Sequence, residues 1–289
     1  DTHRELSFEY DQTLTLDEFI KLEKAQQALI HYNFKVGFHQ FAKNFSGTYW
    51  SYDQCIWIDT FRAVAESYTG RPEYYAILSS LIFAMSYASQ STGHYAQYRD
   101  VTASNMSDIL SYRTRDLKPY FERKFMELTL QLNGTASKEY RITTLDYMDC
   151  LRIMDEGAIV YADPPYQSVH YSRFYHALET LVKYDNPKAE HKGRYRDDRH
   201  QSPFCLRTKV DGAFVSLFEG VKNRKAHLAL SYSDTGLISK AKILALAKQV
   251  FGSKYKTDIL TKSHMHSNMG RKFEKEQEVE EFIITVTRR

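Results

Sequence analysis

The fold of this chain is decided by the stretch Ala-Ile-Val-Tyr-Ala-Asp-Pro-Pro-Tyr at residues 158–166. Its first five residues form a short apolar run with a turn signal behind it, and this pattern predicts a buried strand. Pro164 and Pro165 end the strand, because neither has an N–H to give to a neighbouring strand and each fixes φ. Asp163 and Tyr166 are therefore predicted at the carboxyl end of a strand, the edge where open α/β sheets bind ligands.

This arrangement suits the methylation of an exocyclic amine. Such a nitrogen is a poor nucleophile, because its lone pair is delocalised into the ring. The Asp163 carboxylate and a backbone carbonyl can accept hydrogen bonds from the two N–H groups, which is catalysis by positioning and electrostatics. Tyr166 supplies a face on which an extruded base can stack. The alternative is an ordinary strand-to-loop turn, since Asp and Pro are common turn residues.

The composition is that of an ordinary globular protein with one large domain, or with one domain and a sizeable insertion. Of the 289 residues, 43% are hydrophobic and 26% are charged, and no apolar run is long enough to span a bilayer. The net charge of +3 is too small to indicate a nucleic-acid partner by itself. Cys55, Cys150 and Cys205 have no metal-ligand spacing, so they predict buried thiols in a reducing, cytoplasmic compartment.

The first half of the chain predicts a largely helical region. Residues 14–34 have apolar positions at helical spacing, and Thr15 or Asp17 can cap this helix. The other elements predicted here are helices at residues 56–66 and 73–90 and a loop or short hairpin at residues 37–50.

From residue 140 the pattern becomes α/β. Asp146 follows a candidate strand at residues 141–144, so it is predicted either to bind a ligand or to cap the helix behind it. Ser231 lies in another apolar strand, at residues 226–233. The remaining predicted elements are helices at residues 150–154, 172–179, 212–221 and 240–251, with Gly252 as a C-cap, and late strands at residues 257–260 and 280–286, as an antiparallel hairpin at the sheet edge.

Two polar, basic segments are candidates for contact with DNA. The first, residues 184–208, is long and follows the proposed catalytic strand; long loops inside compact domains are usually functional or disordered, and both readings stay open. The second, residues 262–272, contains two histidines spaced i, i+2 without a third ligand, so no metal site is predicted. The basic residues and the histidine predicted to contact DNA in these segments are Arg194, Arg196, Arg199, His200 and Arg271.

In their order along the chain, these pieces resemble the Dam-like, alpha-ordered D12 class of DNA adenine methylases, which methylate adenine N6 with S-adenosylmethionine. The matching pieces are Asp146-Tyr147, the Asp-Pro-Pro-Tyr tetrapeptide at residues 163–166, the helix with Phe174-Tyr175, Leu230-Ser231-Tyr232-Ser233, Gly270-Arg271 and the helix from Glu73 with its polar tail.

The resemblance implies a Rossmann-like α/β methyltransferase sheet with a mainly helical target-recognition insertion. Residues 1–139 would form the recognition region and residues 140–289 the catalytic core. Asp163 and the Pro164 carbonyl would bind the target amine, with Pro165 holding them rigid and Tyr166 stacking on the base. The residues implied at the cofactor are Asp146, Tyr147 and Asp163, and Ser231 is implied near the DNA.

One departure from the family pattern concerns the cofactor. Members carry a glycine-rich cofactor loop after their first strand, and no such loop occurs ahead of Asp146. It is expected upstream of Asp1, or on a second polypeptide, unless the protein has lost catalysis. Partners would then be double-stranded DNA and a second subunit or a cognate restriction or defence protein, with no membrane.

The function predicted from the sequence is methylation of adenine N6 in double-stranded DNA by base flipping, in restriction-modification or phage defence. One alternative is a non-catalytic or partner-dependent DNA-binding subunit that keeps the fold. Another is methylation of a different amine. Cytosine N4 enzymes more often have Ser at the position of Asp163, and enzymes that methylate glutamine usually have Asn, so the aspartate favours adenine.

Overall fold

The computed structural model describes residues 6–34, 37–91, 94–132, 140–266 and 277–289. The chain divides into two compact units, the first comprising Asp1–Lys138 with Ser172–Arg199 and the second Glu139–Tyr171 with His200–Arg289. This division differs from the sequence-based division after residue 139 in one segment, residues 172–199, which returns to the first unit. The reason is apolar burial, because Ala177 and Leu181 of this segment are fully buried in the core of the first unit.

The described elements are as follows. The helices, in chain order, are α1 (Leu16–Gln27), α2 (Gln40–Phe45), α3 (Tyr52–Glu66), α4 (Pro72–Ala88), α5 (Met106–Arg113), α6 (Lys118–Leu132), α7 (Tyr147–Ile153), α8 (Tyr171–Phe174), α9 (His176–Lys183), α10 (Val210–Asn223) and α11 (Lys240–Phe251). The strands are β1 (Ile159–Ala162), β2 (Ala189–Glu190), β3 (Tyr195–Arg196), β4 (His227–Ser233), β5 (Tyr255–His266) and β6 (Gln277–Arg288).

Helix α1 begins where its sequence predicts. The Thr15 side chain accepts a hydrogen bond from the N–H of Glu18, and the Glu18 side chain accepts one from the N–H of Thr15. This reciprocal capping box satisfies two of the N–H groups that a helix start leaves without partners. The predicted helix over residues 14–34 is shorter in the structure, because a 3₁₀ turn at Ala28–His31 follows α1.

Helix α2 lies where the sequence predicted a loop or hairpin, so that prediction was wrong. The carboxylate of Asp59, on α3, accepts hydrogen bonds of 2.9 Å from the N–H groups of both Phe41 and Ala42. These are among the first N–H groups of α2, and a negative charge at a helix N-terminus is favourable. The cap of α2 is thus supplied by another helix, which local sequence does not reveal.

The sheet of the second unit has the strand order β1-β4-β6-β5. β1 pairs with β4 in parallel, whereas β6 runs antiparallel to both β4 and β5. Helices alternate with these strands, so the α/β prediction is confirmed, as is the antiparallel pairing of the two late strands. Two details differ from expectation: of the two late strands, β5 lies at an edge but β6 lies inside the sheet, and residues 141–144 form no strand.

Strand β1 is an edge strand among the described residues, and the prediction that it is buried was wrong. Ile159 is 78% exposed and Tyr161 is 65% exposed, while Val160 and Ala162 pack against the core. Within the described sheet, β1 has a hydrogen-bonded neighbour on one side only, β4. One face and one edge of an apolar strand are therefore open, which is unusual for a parallel strand.

Aromatic side chains from helices and strands fill the core of this unit. Phe214 and Phe218 of α10, Phe251 of α11 and Phe282 of β6 are fully buried or nearly so. Helix α10 also contacts α7 closely, because a Cβ added at Gly220 would lie only 2.6 Å from a methyl carbon of Leu151. This packing fixes α7 relative to the sheet.

Candidate functional site

The register of β1 and β4 brings two predicted residues side by side. Ala162 of β1 is opposite Leu230 of β4 in a parallel pair. Asp163 and Ser231 are the next residues on these neighbouring strands, so they lie together at the carboxyl edge of the sheet. Asp163 is exposed, and Ser231 is half-buried. A carboxylate and a hydroxyl are thus both presented where an α/β sheet binds ligands.

The tetrapeptide after β1 is held at both ends. β1 holds its start, and at its end the Tyr166 carbonyl accepts a 2.9 Å hydrogen bond from the N–H of Leu237. The Tyr166 ring stands edge-on to the Tyr232 ring, with 6.0 Å between centroids and 81° between planes. Burial raises the pKa of Tyr166, and the nearby Glu281 and Asp163 carboxylates raise it further. Tyr166 is therefore a neutral, fixed aromatic ring beside Asp163.

Tyr232 itself is held by a close backbone approach. A Cβ added at Gly236 would lie 2.3 Å from the Tyr232 ring, so only glycine fits there without a shift of the ring. Burial raises the pKa of Tyr232 to about 12. The aromatic platform under Tyr166 is thus set by a glycine that was not singled out from the sequence.

Asp146 and Tyr147 begin helix α7. The Asp146 carboxylate accepts a 2.9 Å hydrogen bond from the N–H of Met148. Of the two predicted roles, ligand binding and helix capping, the structure shows the cap. A ligand at Asp146 stays a prediction. The Tyr147 ring lies 5.3 Å from the Phe204 ring, and burial, followed by the Asp146 charge, raises its pKa.

A cavity of about 580 Å³ lies between β1 and α7. It brings together Tyr147, Asp163, Pro164 and Pro165 of the predicted site, whereas Asp146 and Tyr166 are chain neighbours of its wall. Most of the wall is apolar, and it includes the exposed side chains of β1. The lining residues that sequence reasoning did not select are Leu145, Cys150, Leu151, Met154, Ile159, Val160, Tyr161, Ala162, Ser202, Phe204 and Leu217.

Ser202 and Phe204 were missed because the segment at residues 184–208 was considered only as a DNA contact or as a disordered loop. The local signal was present: Pro203 and Phe204 interrupt a polar run with a rigid and a large apolar residue. Phe204 is buried and packs edge-on against Phe214 of α10. The end of the predicted DNA loop is therefore part of the cavity wall.

The basic residues predicted to contact DNA have different surroundings. Arg196 is 3% exposed, and its guanidinium forms ion pairs with Asp185 at 2.7 Å and with Asp198 at 2.8 Å. These carboxylates raise the pKa of Arg196, and the arrangement ties the β2–β3 hairpin together instead of leaving the charge for a phosphate. A contact of Arg196 with DNA stays a prediction, which these ion pairs do not favour.

The other predicted contacts are placed as follows. Arg194 is half-buried and donates a 2.9 Å hydrogen bond to the Gln27 carbonyl, so it also supports the fold of the first unit. Arg199 and His200 are exposed. Arg271 lies outside the described residues, and its role stays a prediction.

Within the described ranges, no three His, Cys, Asp or Glu side chains converge as a metal site would require. No helix in the same ranges combines the length and apolar character needed to cross a bilayer. The three cysteines are free thiols, with Cys55 and Cys205 buried and Cys150 partly exposed.

Comparison with known proteins places the chain in a family. Residues 58–243 match the family described as D12 class N6 adenine-specific DNA methyltransferase. The chain is 27% identical over 184 residues to the modification methylase LlaI of Lactococcus lactis subsp. lactis, covering 64% of this chain and 27% of that protein. It is 29% identical over 186 residues to the type II methyltransferase M.FokI of Planomicrobium okeanokoites, and this match covers 63% of this chain and 26% of that protein.

A third relative, the modification methylase StsI of Streptococcus sanguinis, is 24% identical over 222 residues, covering 74% of this chain and 31% of that protein. The matches thus span about a quarter to a third of the relatives' length. No solved structure matches the chain. The family match covers well over half of the chain, including β1, the tetrapeptide and β4. The chain therefore belongs to the D12 class of N6 adenine-specific DNA methyltransferases.

Proposed function

We propose that this chain transfers a methyl group to N6 of adenine in double-stranded DNA, with the target base flipped out of the helix. The observation that carries the proposal is the exposed Asp163 beside a cavity at the carboxyl edge of the sheet, in a chain of this family. A role in restriction-modification is supported by the relatives, whose names describe modification or type II methylases.

The protein's part in the reaction is to hold the amine. Asp163 accepts a hydrogen bond from one N–H of the adenine amine, and the Pro164 carbonyl accepts one from the other. Both acceptors are fixed, because β1 holds one end of the tetrapeptide and Leu237 holds the other. The Tyr166 ring stacks on the flipped base. Fixed acceptors stabilise positive charge that develops on the nitrogen without having to reorganise.

The cavity fits S-adenosylmethionine, which when bound supplies an electrophilic methyl group. Its volume of about 580 Å³ falls within the range of roughly 300–1,000 Å³ that small-molecule sites occupy. Its apolar wall, with the ring of Tyr147 against Phe204, suits a flat adenine, and Asp163 supplies a carboxylate at its edge. Asp146, at the start of α7, would bind the adenine end of the cofactor.

The free edge of β1 also has a place in this proposal. Ile159 and Tyr161 are exposed apolar side chains that line the cavity. A further parallel strand beside β1 would pair its free backbone groups and cover these side chains. We assign this position to a glycine-rich cofactor segment, whether this protein or a second subunit supplies it.

Substitution of Asp163 tests the proposal. In the full-length protein, Asp163→Ala is expected to lower the rate of methyl transfer by about 10³-fold, since one fixed acceptor of the amine is lost. DNA affinity should change by less than about twofold, because the carboxylate contacts no phosphate. The measurement is transfer of labelled methyl groups to duplex DNA, with DNA binding followed separately by fluorescence anisotropy.

The matched control is Asp258→Ala, which removes an exposed carboxylate of the edge strand β5 that pairs with Lys256. It should methylate DNA at the wild-type rate. Full activity of Asp163→Ala, or an equal loss of DNA affinity in that variant, would contradict the assignment. Methylation that persists in duplexes with every adenine replaced would instead point to cytosine N4.

A further inference from the structure

The first unit contains a basic pocket that the reaction described above does not use. Its volume is about 360 Å³, and it lies beside the β2–β3 hairpin and α8. No carboxylate lines it. The lining residues are Gln97, Arg173, His191, Lys192, Gly193, Tyr195 and Arg199.

Two arginines of this pocket are held on one buried aromatic ring. The guanidinium of Arg173 lies 5.4 Å from the centroid of the Tyr195 ring, and that of Arg199 lies 4.9 Å from it. Arg173 also donates a 3.1 Å hydrogen bond from Nε to the Tyr195 hydroxyl oxygen, and this hydroxyl donates to the Ala96 carbonyl. Tyr195 is 6% exposed, so the two cations are positioned before any ligand arrives.

The charge of these arginines is not balanced locally. Among the described residues, neither Arg173 nor Arg199 lies within ion-pair distance of a carboxylate, in contrast with Arg196, which has two. Lys192 forms an exposed ion pair with Asp100, a kind of pair that contributes little energy. A concave surface with cations and without carboxylates concentrates positive potential, which attracts an anion.

The hairpin turn beside this pocket has an unusual backbone conformation. His191 and Arg194 have φ values of 59° and 58°, in the left-handed region that non-glycine residues rarely adopt. Between them, a Cβ added at Gly193 would lie 2.4 Å from the Tyr195 ring and 2.7 Å from the Ala96 carbonyl oxygen. Such strained turns persist where the surroundings over-determine them, and they are concentrated at binding sites.

We infer that this pocket binds a backbone phosphate of duplex DNA. Two guanidinium groups fixed on one ring match the oxygens of a phosphodiester, since arginine binds phosphate through paired N–H donors. Gln97, His191 and Lys192 add donors at the rim. Contacts of this kind set the register of a protein on DNA without reading sequence. The inference rests on the proposed function, because it takes the DNA of that reaction as the ligand.

The experiment compares arginine-to-glutamine variants of the full-length protein. Arg173→Gln and Arg199→Gln are each expected to weaken binding of a duplex about tenfold near 0.1 M salt. Each should also reduce the slope of log affinity against log salt concentration by about one, the value for one lost phosphate contact. Arg173→Lys should keep the wild-type slope, because it keeps the charge.

The matched control is Arg71→Gln. Arg71 also stacks on a tyrosine, with its guanidinium 5.1 Å from the Tyr68 ring, but it pairs with Glu73 at 2.6 Å and lies outside the pocket. Its loss should leave affinity and salt slope unchanged. Equal slopes in Arg173→Gln, Arg199→Gln, Arg71→Gln and the wild type would overturn the inference, and circular dichroism would verify that each variant is folded.

Failure of this inference can be told apart from failure of the proposed function. If the two variants show the reduced salt slope of DNA binding but the wild type transfers no methyl group, the phosphate site is supported and the proposed reaction is rejected. Methyl transfer with unchanged slopes supports the reaction and rejects the site. A third outcome is that the wild type binds inorganic pyrophosphate tightly and Arg173→Gln loses this binding, while the variant binds duplex DNA like the wild type. That outcome would assign the pocket to a free anion and overturn the inference.

Discussion

His176 is a buried histidine whose protonation state the fold controls. Its Nε2 donates a 2.7 Å hydrogen bond to the Tyr95 carbonyl, and the side chain is almost fully buried. Burial, with a smaller contribution from the charges of Arg199 and Arg196, lowers its pKa to about 4, against the opposing hydrogen bond to Tyr95. Because the unfolded chain binds this proton near pH 6.5, the folded state loses stability as the pH falls from 6.5 to 4.

His176→Gln is expected to remove this acid sensitivity. Glutamine keeps an N–H donor but does not titrate, so the wild type should lose about 3 kcal/mol more than the variant in free energy of unfolding between pH 6.5 and pH 4. The measurement is denaturant unfolding followed by tryptophan fluorescence. Both tryptophans, Trp50 and Trp57, lie in the first unit, so the signal reports on the unit that contains His176.

The control for this prediction is His31→Gln. His31 is exposed at the end of the 3₁₀ turn that follows α1, and its loss should leave the pH dependence as in the wild type. If His176→Gln and the wild type lose stability in parallel on acidification, the acid sensitivity belongs to other groups.

Residue types favoured a site only where an unusual combination occurred. Asp163 and Tyr166 were predicted as site residues because an acid, two prolines and an aromatic ring follow an apolar run directly, and their roles stay a prediction. Arg196 and Arg199 were not separable, because they are three residues apart in the same polar segment. Their difference lies in the Asp185 and Asp198 carboxylates that surround only Arg196, and geometry of this kind has no local signature.

At the scale of elements, the turn after α2 is packed closely against α1. Gly47 has a φ of +64°, and an added Cβ would lie 2.6 Å from the Glu23 carbonyl oxygen and 2.8 Å from the Gln26 Cβ. The same turn is tied to α1 by a 2.7 Å hydrogen bond from the Gln27 side chain to the Gly47 carbonyl. Both conformation and contact therefore require glycine at this position.

Gly47→Ala and Gly70→Ala form a matched pair that separates these two requirements. Gly70 also has a positive φ, of +81°, but an added Cβ would meet nothing within 4 Å. Gly70→Ala should cost about 1 kcal/mol for the left-handed backbone alone, whereas Gly47→Ala should cost about 3 kcal/mol because the backbone of α1 must also move. Unfolding followed by tryptophan fluorescence measures both, and equal losses would show that the contact with α1 contributes nothing.

Helices that are capped by an adjacent residue were predictable from the sequence. Elements that depend on a cap or a pairing strand from a distant part of the chain were not. The predicted starts of α1 and α11 agree with the structure, where Thr15 and Ser239 cap them from the adjacent residue. Helix α2 was missed because its capping carboxylate comes from Asp59, 17 or 18 residues away. Residues 141–144 have strand-like composition but no neighbouring strand in the described part of the chain, and composition alone does not form a sheet.

At the scale of the whole molecule, the sequence predicted two regions but not the return of residues 172–199 to the first. That return depends on burial of Ala177 and Leu181 in a core built from residues more than 50 positions earlier, and a linear reading does not show such a contact. The open edge of β1 was also unforeseen, because an apolar strand reads as buried whether or not a neighbour is present.

The β1 edge gives a prediction for hydrogen exchange. In a chain of these 289 residues alone, the N–H groups of β1 that do not face β4 should exchange rapidly with solvent. With native flanking sequence, or with a second subunit that supplies the cofactor segment, they should exchange at least about tenfold more slowly, because they then donate to a new strand. Calorimetric titration should detect S-adenosylmethionine binding only in that second preparation.

The internal reference for that experiment is β4, whose N–H groups lie between two strands and should be protected in both preparations. Rapid exchange of β1 in every preparation, with S-adenosylmethionine bound, would contradict the placement of the cofactor segment at this edge.

The position of β6 has a consequence for synthesis on the ribosome. β6 comes last in sequence among the described strands of the sheet, yet it lies between β4 and β5, which do not pair with each other. β5 is therefore synthesised before β6, its neighbour in the described sheet. Leu228 and Leu230 of β4 pair with β6 residues, so this side of β4 stays unpaired until residues 277–288 have been synthesised. The described sheet therefore cannot be complete until residues 277–288 have been translated, and the nascent chain needs protection from aggregation until then.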